Sequence, residues 1–549
     1  MNTPFSSLAS LAPKRPFILP GEIVPKILII TCLFLTIIYA RWWLDFSNAS
    51  SWILFSLLFA GEVYHVWQAV GYLFTVRNQK PYQPKMLGSY APRVDVFITA
   101  CGEPLKVTEK TILAAKAMEY PDFQVFVLND GFVAKKENWR EVENLGKRLG
   151  VSVITRDIPG GAKAGNINNA LKHTDAPFFA LFDTDQAPYP EFLARTMGYF
   201  ENEKMALVQT PQYYANHEEN YLTEAAWEQQ ELFFGPICRG KNSDNATFWC
   251  GTNAVLRRSA LEMVGGIPTD SITEDFLVSL LLHGKGYESV YVPEVLSEGM
   301  APLDLGSFAK QQYRWARGCL DVIFHYNPFF RKGLTFAQKI HYLYSSSYYL
   351  NGLVALVDAV IPIVVITTNI SPIRENTHDF MAYFFPFIFS TIYLLMRSTK
   401  FEITFRAIQM SMSSFFVFFR ATISAMTGVK DSWNITPKTV QAGNYIMYAL
   451  PNIIYAVISI CAIVYAVYTY GLTPSVMTNS AWIVFNIVFF FGFIRVAYPW
   501  RAIPERIKTW FRSDTLSMKA PLLRPKTAAV LGVIEREVLN PENKDTRHE

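Results

Sequence analysis

Apolar residues in this chain come as long runs near both ends and as short runs in the middle. The blocks 27–43, 52–75, 345–370, 380–396, 441–469 and 480–499 each approach the roughly 20 apolar residues that a bilayer-spanning helix needs. Glu62 and His65 interrupt the second block. The first block follows a polar start, lacks a small-residue cleavage site and is soon followed by another, so it reads as a span rather than a cleaved leader. From about residue 91 the pattern shortens and alternates. It predicts strands at 94–100, 123–131, 151–156 and 178–185, with helices at 107–119, 136–149 and 163–172. Strands alternating with helices predict a mostly parallel, doubly wound sheet. In such sheets ligands bind beyond the carboxyl ends of the strands.

Charge sharpens this division. The chain is 51% apolar, 15% aromatic and 17% charged, against roughly 25% charged in soluble domains. Disordered, collagen-like and disulfide-scaffold classes are excluded. Of the 50 Lys and Arg and 46 Asp and Glu, 53 fall within 91–325 and 13 within 341–500. One soluble domain between hydrophobic blocks is therefore expected. The apolar segment 401–427 carries Glu402, Arg406 and Arg420. With six crossings, one side of the membrane receives Lys14, Arg15, Lys26, Arg77, Lys80, Lys85, Arg397, Lys400, Arg406 and the basic tail 501–549. The other side receives only Arg374. The excess of positive charge marks the cytoplasmic side, which puts both termini there and predicts 401–427 as a helix lying at that interface. The segment 303–320 is a second such candidate. The six cysteines show no CxxC pair and the eight histidines no HExxH, so a disulfide framework, a zinc site and a metalloprotease find no support.

Acids stand at the predicted strand ends: Glu103 after the first, Asp130 at the second, Asp183 and Asp185 at the last. Asp183-Thr184-Asp185 after an apolar strand offers hard oxygen ligands suited to magnesium or manganese held with substrate phosphates; the alternative is a solvated loop. Lys163 lies in GGAKAGNINNAL, where glycines allow close backbone approach and a helix start can receive an anion; the alternative is a turn with a surface lysine. Thr273-Glu274-Asp275 reads both as a helix N-cap with acids in the first turn and as a source of a general base. Gln311, Arg314 and Trp315 share one helix face. Arg suits a diphosphate and Trp the face of a sugar ring, while both also occur at membrane interfaces.

With these four sites in this order, the chain resembles the processive family 2 glycosyltransferases of the cellulose synthase group, whose signature is Asp, DxD, TED and QxxRW. The resemblance covers roughly residues 52–500. AKAGNINNAL (162–171) is similar to the family's KAGNLNxAL, FWCGTNAVLRRSAL (248–261) to its FFCGS segment, and SWNITPKT (432–439) to its FxVTxKG gating loop. Glu62 resembles the acidic residue of the family's corresponding membrane helix. The resemblance implies a multi-pass α-helical membrane protein with a cytosolic α/β GT-A (Rossmann-like) glycosyltransferase domain. Its parts would be 1–90 with two spans, 91–325 as the GT-A domain, 326–500 with four spans, an interface helix 401–427 and a gating loop 430–440, and a tail 501–549. It implies Asp130 at the uracil side, Asp183 at the nucleotide, Lys163 at the diphosphate, and Asp185 holding Mg2+ or Mn2+. It further implies Asp275 as general base beside Glu274, Arg314 stabilising the leaving UDP, and Gln311, Trp315 and Cys250 at the acceptor. Glu103 would join the donor site, and Trp433, Thr436 and Lys438 the gating loop.

Departures fall near donor and acceptor. Asn129 replaces the first acid of the frequent DDG. Ala100-Cys101-Gly102-Glu103 stands where many members have TYNE. Gln186 follows the DxD where a metal-binding His is frequent. Trp249 and Thr252 alter FFCGS, and Thr439 replaces the last Gly of the gating loop. The implied activity is an inverting, processive β-glucan synthase that uses UDP-glucose and passes the polymer through its own membrane helices. Alternatives are a UDP-GlcNAc-using synthase of the chitin, hyaluronan or poly-N-acetylglucosamine type, and an export protein with a nucleotide-binding domain. Expected partners are the UDP-sugar donor, the growing polysaccharide, membrane lipids and periplasmic export proteins, with no nucleic acid. A bacterial inner membrane location is expected. With 49 residues after position 500, no PilZ domain is expected.

Overall fold

The computed structural model describes residues 19, 22–374, 377–402, 405–428 and 445–497. The middle of the chain forms a seven-stranded sheet in the order β3-β2-β1-β4-β8-β6-β9. These strands are β1 (Val94–Ala100), β2 (Phe123–Asn129), β3 (Ser152–Thr155), β4 (Phe178–Asp183), β6 (Met205–Gln209), β8 (Ala254–Arg257) and β9 (Glu288–Tyr291). Side chains alternate across the sheet. Val96, Ile98, Ala180 and Phe182 feed one buried face. Phe97, Phe179 and Leu181 feed the other. The expected parallel pairing holds for β3-β2-β1-β4 and for β6-β9. β8 runs antiparallel to both β4 and β6, so the sheet is mixed. A strand-only pattern cannot show this, because direction is set by how the chain returns across the domain.

The chain winds outward from β1 to β3 and then returns beside β1 as β4. This places the strand ends of β1 and β4 at a topological switch point, the place where doubly wound sheets bind their ligands. A small second sheet has the order β5-β10-β7, from β5 (Ala187–Pro188), β7 (Tyr213–Tyr214) and β10 (Ser297–Gly299). It ties the residues after the Asp-x-Asp to the segment that leads into the helix Leu305–Tyr326. A Cβ at Gly299 would lie 2.0 Å from the Gln186 amide, so only glycine allows this closeness. Asp304 caps that helix, its carboxylate accepting from Ser307 N at 2.8 Å.

Among the described residues, six helical runs are long and apolar enough to cross a bilayer: Lys26–Trp43, Trp52–Val76, Phe336–Thr368, Asp379–Ser398, Ile446–Tyr470 and Pro474–Ala497. These coincide with the six apolar blocks. The third begins nine residues before the apolar block at 345. There Thr335 and Gln338 form a reciprocal cap, with Gln338 N donating to Thr335 Oγ1 at 3.2 Å and Thr335 N to Gln338 Oε1 at 2.9 Å. The segment 401–427 forms two helices, Phe405–Ser413 and Phe415–Thr427. The second has 13 residues, a rise of about 20 Å, short of a hydrocarbon core of about 30 Å. It packs on Leu305–Tyr326 and Asn351–Thr368. Arg406 of the first joins Glu224 and Glu228 of the α/β domain.

The polar residues in the spans find one another. Tyr39 Oη donates to Glu62 Oε2 at 2.7 Å. The His65 ring lies 3.4 Å from Glu62 on one side and 3.4 Å from Asp358 on the other. Lipid offers no partners to such groups, so they are satisfied between helices.

Candidate active site

The cleft lies at the switch point. Thr99, at the end of β1, donates its hydroxyl to Asp183 Oδ1 at 3.1 Å, bridging β1 and β4. Lys163 stands in the first turn of the helix Ala162–Leu171. Its ammonium bonds the Asp183 carboxylate and donates to the Gly251 carbonyl at 2.7 Å. The Asp183 side chain remains 38% exposed, whereas Lys163 is 13% exposed, so the acid faces the opening and the amine braces it from below.

Glu274 and Asp275 begin the helix Glu274–Gly284. Asp275 Oδ1 accepts from Phe276 N at 2.8 Å. Its Oδ2 faces Gly251, where a Cβ would lie 2.9 Å from it and 3.9 Å from Lys163 Nζ. Gly251 also has φ +81°, a conformation L side chains rarely adopt. This glycine is the point at which the Cys250 loop, Lys163 and Asp275 meet. Burial pushes the pKa values of both Glu274 and Asp275 up from the ordinary carboxylate range, and the Asp275 charge adds to the rise at Glu274. The Lys163 and Arg314 charges act in the opposite direction on both. Both expected readings of Thr273-Glu274-Asp275 are met in part: the acids occupy a helix start, and they line the cleft. Thr273 does not cap with its side chain. It packs instead on Gly318, where a Cβ would lie 2.2 Å from its methyl, so the Leu305–Tyr326 helix lies flush against the acidic helix start.

That helix carries Gln311, Arg314 and Trp315. Gln311 bonds the Tyr214 phenol, which also feels the charges of Asp185 and Arg314. Gln230 donates to the same phenol at 3.3 Å. Tyr214 thus links the Asp-x-Asp to the Gln-x-x-Arg-Trp helix. Trp315 is half-buried on that helix. Asp185 and Gln186 are buried. Gln186 Oε1 accepts from Asn253 Nδ2 at 2.9 Å, so this side chain is committed within the protein. Cys250 is half-buried, with its N–H donating to Gln209 Oε1 at 2.8 Å. Burial pushes its thiol well up, with the Asp275 charge adding, which keeps it protonated and unreactive.

The two expected donor-side acids, Asp130 and Glu103, both have partners within the protein. Asp130 forms a buried, bidentate pair with Arg156, with Arg156 Nη2 donating to Oδ2 at 2.8 Å. Burial raises its pKa and Arg156 opposes that rise. Glu103 folds onto its own loop, accepting from Cys101 N at 2.6 Å. The glycines around Lys163 serve the protein's own packing: a Cβ at Gly165 would lie 2.1 Å from Gly160 O and 2.6 Å from Arg156 Nη1. Trp433, Thr436 and Lys438 lie outside the described residues.

Sequence reading missed Arg156, Tyr214 and Gly251. Arg156 carried a signal: it ends the strand beside Asp130, and a buried carboxylate needs a cation. Tyr214 carried none, since its partners come from three separate segments. Among the described residues no group of three or more His, Cys, Asp and Glu could alone hold a metal. Asp183 and Asp185 fit the other arrangement, in which one or two carboxylates share the ion with substrate phosphates.

A switch-point cleft lined by paired acids and two cations, set on six apolar helices, defines a multi-pass membrane protein with a GT-A-type domain. Residues 178–398 match the family model described as "Glycosyl transferase family group 2". The chain is 33% identical over 382 residues to the UDP-forming cellulose synthase catalytic subunit of Pseudomonas fluorescens, covering 67% of this chain and 51% of that one. It is 34% identical over 326 residues to the Xanthomonas axonopodis subunit of the same name, covering 57% and 44%. The chain thus spans about half the length of these relatives. The mannosyltransferase PcManGT from Pyrobaculum calidifontis, solved with GDP-Man and Mn2+, matches 69% of this chain and 100% of its own at TM-score 0.49 and 16% identity; a likeness at that level says nothing of donor or metal. Residues 178–398 thus match a family 2 glycosyltransferase model, and the chain is similar to bacterial cellulose synthase catalytic subunits.

Proposed function

We propose that this protein is a processive, inverting β-glucan synthase. It joins glucose from UDP-glucose and passes the polymer through its own membrane helices, in a bacterial inner membrane with both termini cytoplasmic. The observation that carries this reading is the meeting of Lys163, Gly251, Asp275 and the Arg314 charge around one opening beside Asp183. The similarity to UDP-forming cellulose synthases supports the donor class.

In this reading the acceptor hydroxyl attacks the anomeric carbon while the bond to the UDP oxygen breaks. The proton passes to Asp275 Oδ2, the oxygen not engaged by Phe276 N. A raised pKa suits a base that must take a proton near neutral pH. Lys163 and Arg314 compensate the charge gathering on the leaving diphosphate. Asp185, with Asp183 beside it, would hold Mg2+ or Mn2+, which supplies further charge compensation there. Asp130 lines the uracil side, its carboxylate oriented by Arg156, and Glu103 shapes the loop next to it. Cys250, Gln311 and Trp315 face the acceptor, Trp315 offering its ring to a sugar face. Glu274 lies beside the base, whose charge raises the proton affinity of Glu274.

Purified full-length protein given radiolabelled UDP-glucose and Mg2+ should form insoluble polymer. Digestion by a β-1,4- or a β-1,3-glucanase then assigns the linkage. Incorporation from UDP-GlcNAc alone would overturn the choice of glucose. Nucleotide binding without UDP release would instead favour an export protein. Asp185→Ala should lose activity together with its metal dependence.

A further inference from the structure

A second cluster of charges lies away from the cleft and outside the chemistry above. Asp244 sits between the ends of two membrane helices. Its carboxylate accepts from Arg77, which follows the helix Trp52–Val76, at 3.0 and 3.2 Å. The same carboxylate accepts from His341 Nε2, on the helix Phe336–Ser347, at 2.8 Å. His341 is 1% exposed. Since a carboxylate only accepts, this bond fixes the Nε2–H form of the ring.

The chain around Asp244 adds to the hold. Lys241, 1% exposed, donates to the His341 carbonyl at 3.0 Å. A Cβ at Gly240 would lie 2.1 Å from Thr75 O, so the short helix there rests directly on the first of these membrane helices. Gln338 donates to Asn245 O at 2.7 Å. Ser289 Oγ donates to Thr247 O at 2.6 Å and therefore accepts from His283 Nε2 at 2.8 Å. His283 Nδ1 then accepts from Tyr342 Oη at 2.8 Å. Burial pushes His283 down to about 3, which keeps it neutral as this chain of bonds requires. His283 closes the same helix that Glu274 and Asp275 open.

Seven residues after Asp244 the chain reaches Gly251, which touches both Lys163 and Asp275. We infer that Asp244 is a positioning residue: with Arg77 and His341 it fixes the loop 248–252 to the membrane helices, so that an acceptor held by those helices meets Asp275 in line. This rests on the synthase reading above. On the donor side, Asp130 and Asp183 hang from the sheet, while Lys163 and Asp183 also touch the loop, through the Gly251 carbonyl at 2.7 Å and Thr252 Oγ1 at 2.9 Å. Loosening Asp244 therefore disturbs the acceptor, held only by the loop and the membrane helices, more than the donor, which keeps its hold on the sheet, and water takes the acceptor's role.

The test compares UDP released with sugar incorporated by full-length protein in detergent, for wild type, Asp244→Ala and Asp244→Asn. In Asp244→Ala the ratio of UDP released to sugar incorporated should rise roughly 10-fold, as a misplaced reactant costs that much or more. Asp244→Asn keeps one acceptor for His341 and should show a smaller rise; it carries the test if the alanine variant does not fold. An active wild type with an unchanged ratio in the folded variants overturns the inference alone. A wild type that releases no UDP from UDP-glucose or UDP-GlcNAc overturns the synthase reading and this inference with it.

Discussion

The cleft and the Asp244 anchor are both charged, largely buried and assembled from distant segments, yet they treat charge in opposite ways. In the anchor each carboxylate oxygen has a cation or a ring N–H in reach, and Tyr342, His283, Ser289 and the Thr247 carbonyl form one donor–acceptor chain, while His341 Nδ1 and the Thr247 hydroxyl are buried without a partner. In the cleft, two adjacent acids lie at one helix start with their pKa values pushed up, and Asp183 stays partly open to solvent. Satisfied networks hold parts in place. Groups kept away from their ordinary acidity, at a cost in stability, are the ones poised to react. The difference separates the two roles more clearly than position does.

That comparison breaks most sharply at Asp275. Asp275→Asn keeps the shape and removes the base, so turnover should fall by roughly 10²–10⁴-fold while UDP still binds; retained polymer synthesis would remove Asp275 from the chemistry. Gly251→Ala comes next. Its methyl would meet Asp275 Oδ2 at 2.9 Å in a backbone conformation that disfavours alanine. Activity should drop roughly 10-fold or more with the melting temperature little changed, and a large fall in melting temperature instead would make Gly251 a stability residue.

Arg156→Met tests the one place where the cleft is built like the anchor. It leaves the buried Asp130 without its cation and should cost about 3–5 kcal/mol of stability. The loss should be larger at alkaline than at acid pH. Without Arg156 the buried Asp130 carboxyl would hold its proton to higher pH than it does unfolded, so only its ionisation is penalised. Equal losses at both would place the damage in packing. The smallest effect is a shift of pH profile. Lys163 lowers the proton affinity of Glu274 and Asp275. The residual activity of Lys163→Met should therefore lose its acid limb at higher pH than the wild type, whose own limb already lies above the ordinary carboxylate range. A limb moving to lower pH would overturn the assignment of that limb to these acids.

Much of this was legible in the residues. The apolar blocks coincide with the six long helices, and strand β1 agrees with its predicted range of 94–100 to the residue. Lys163, Asp183, Glu274, Asp275 and Arg314 were named as candidates, and they share one cleft. What escaped was whatever depends on partners far along the chain. The direction of β8 follows from its pairing with β4 and β6. Asp130 was named for the uracil side, and nothing local shows the Arg156 guanidinium folded onto it. The glycines near Lys163 suggested room for phosphate, whereas Gly165 makes room for Gly160 and Arg156.

The sequence by itself determined the membrane helices, because lipid demands long apolar runs and such runs are visible residue by residue. It determined the strand–helix alternation for the same reason, since periodicity is local. It also determined which chemical groups are present and in what order. Only the tertiary structure decided which of those groups face one another: Asp275 Oδ2 toward Gly251 and Lys163, Tyr214 between Gln311 and Gln230, Asp244 between two membrane helices. Those contacts join residues tens to hundreds of positions apart. Their geometry comes from sheet order and helix packing, which no local pattern encodes.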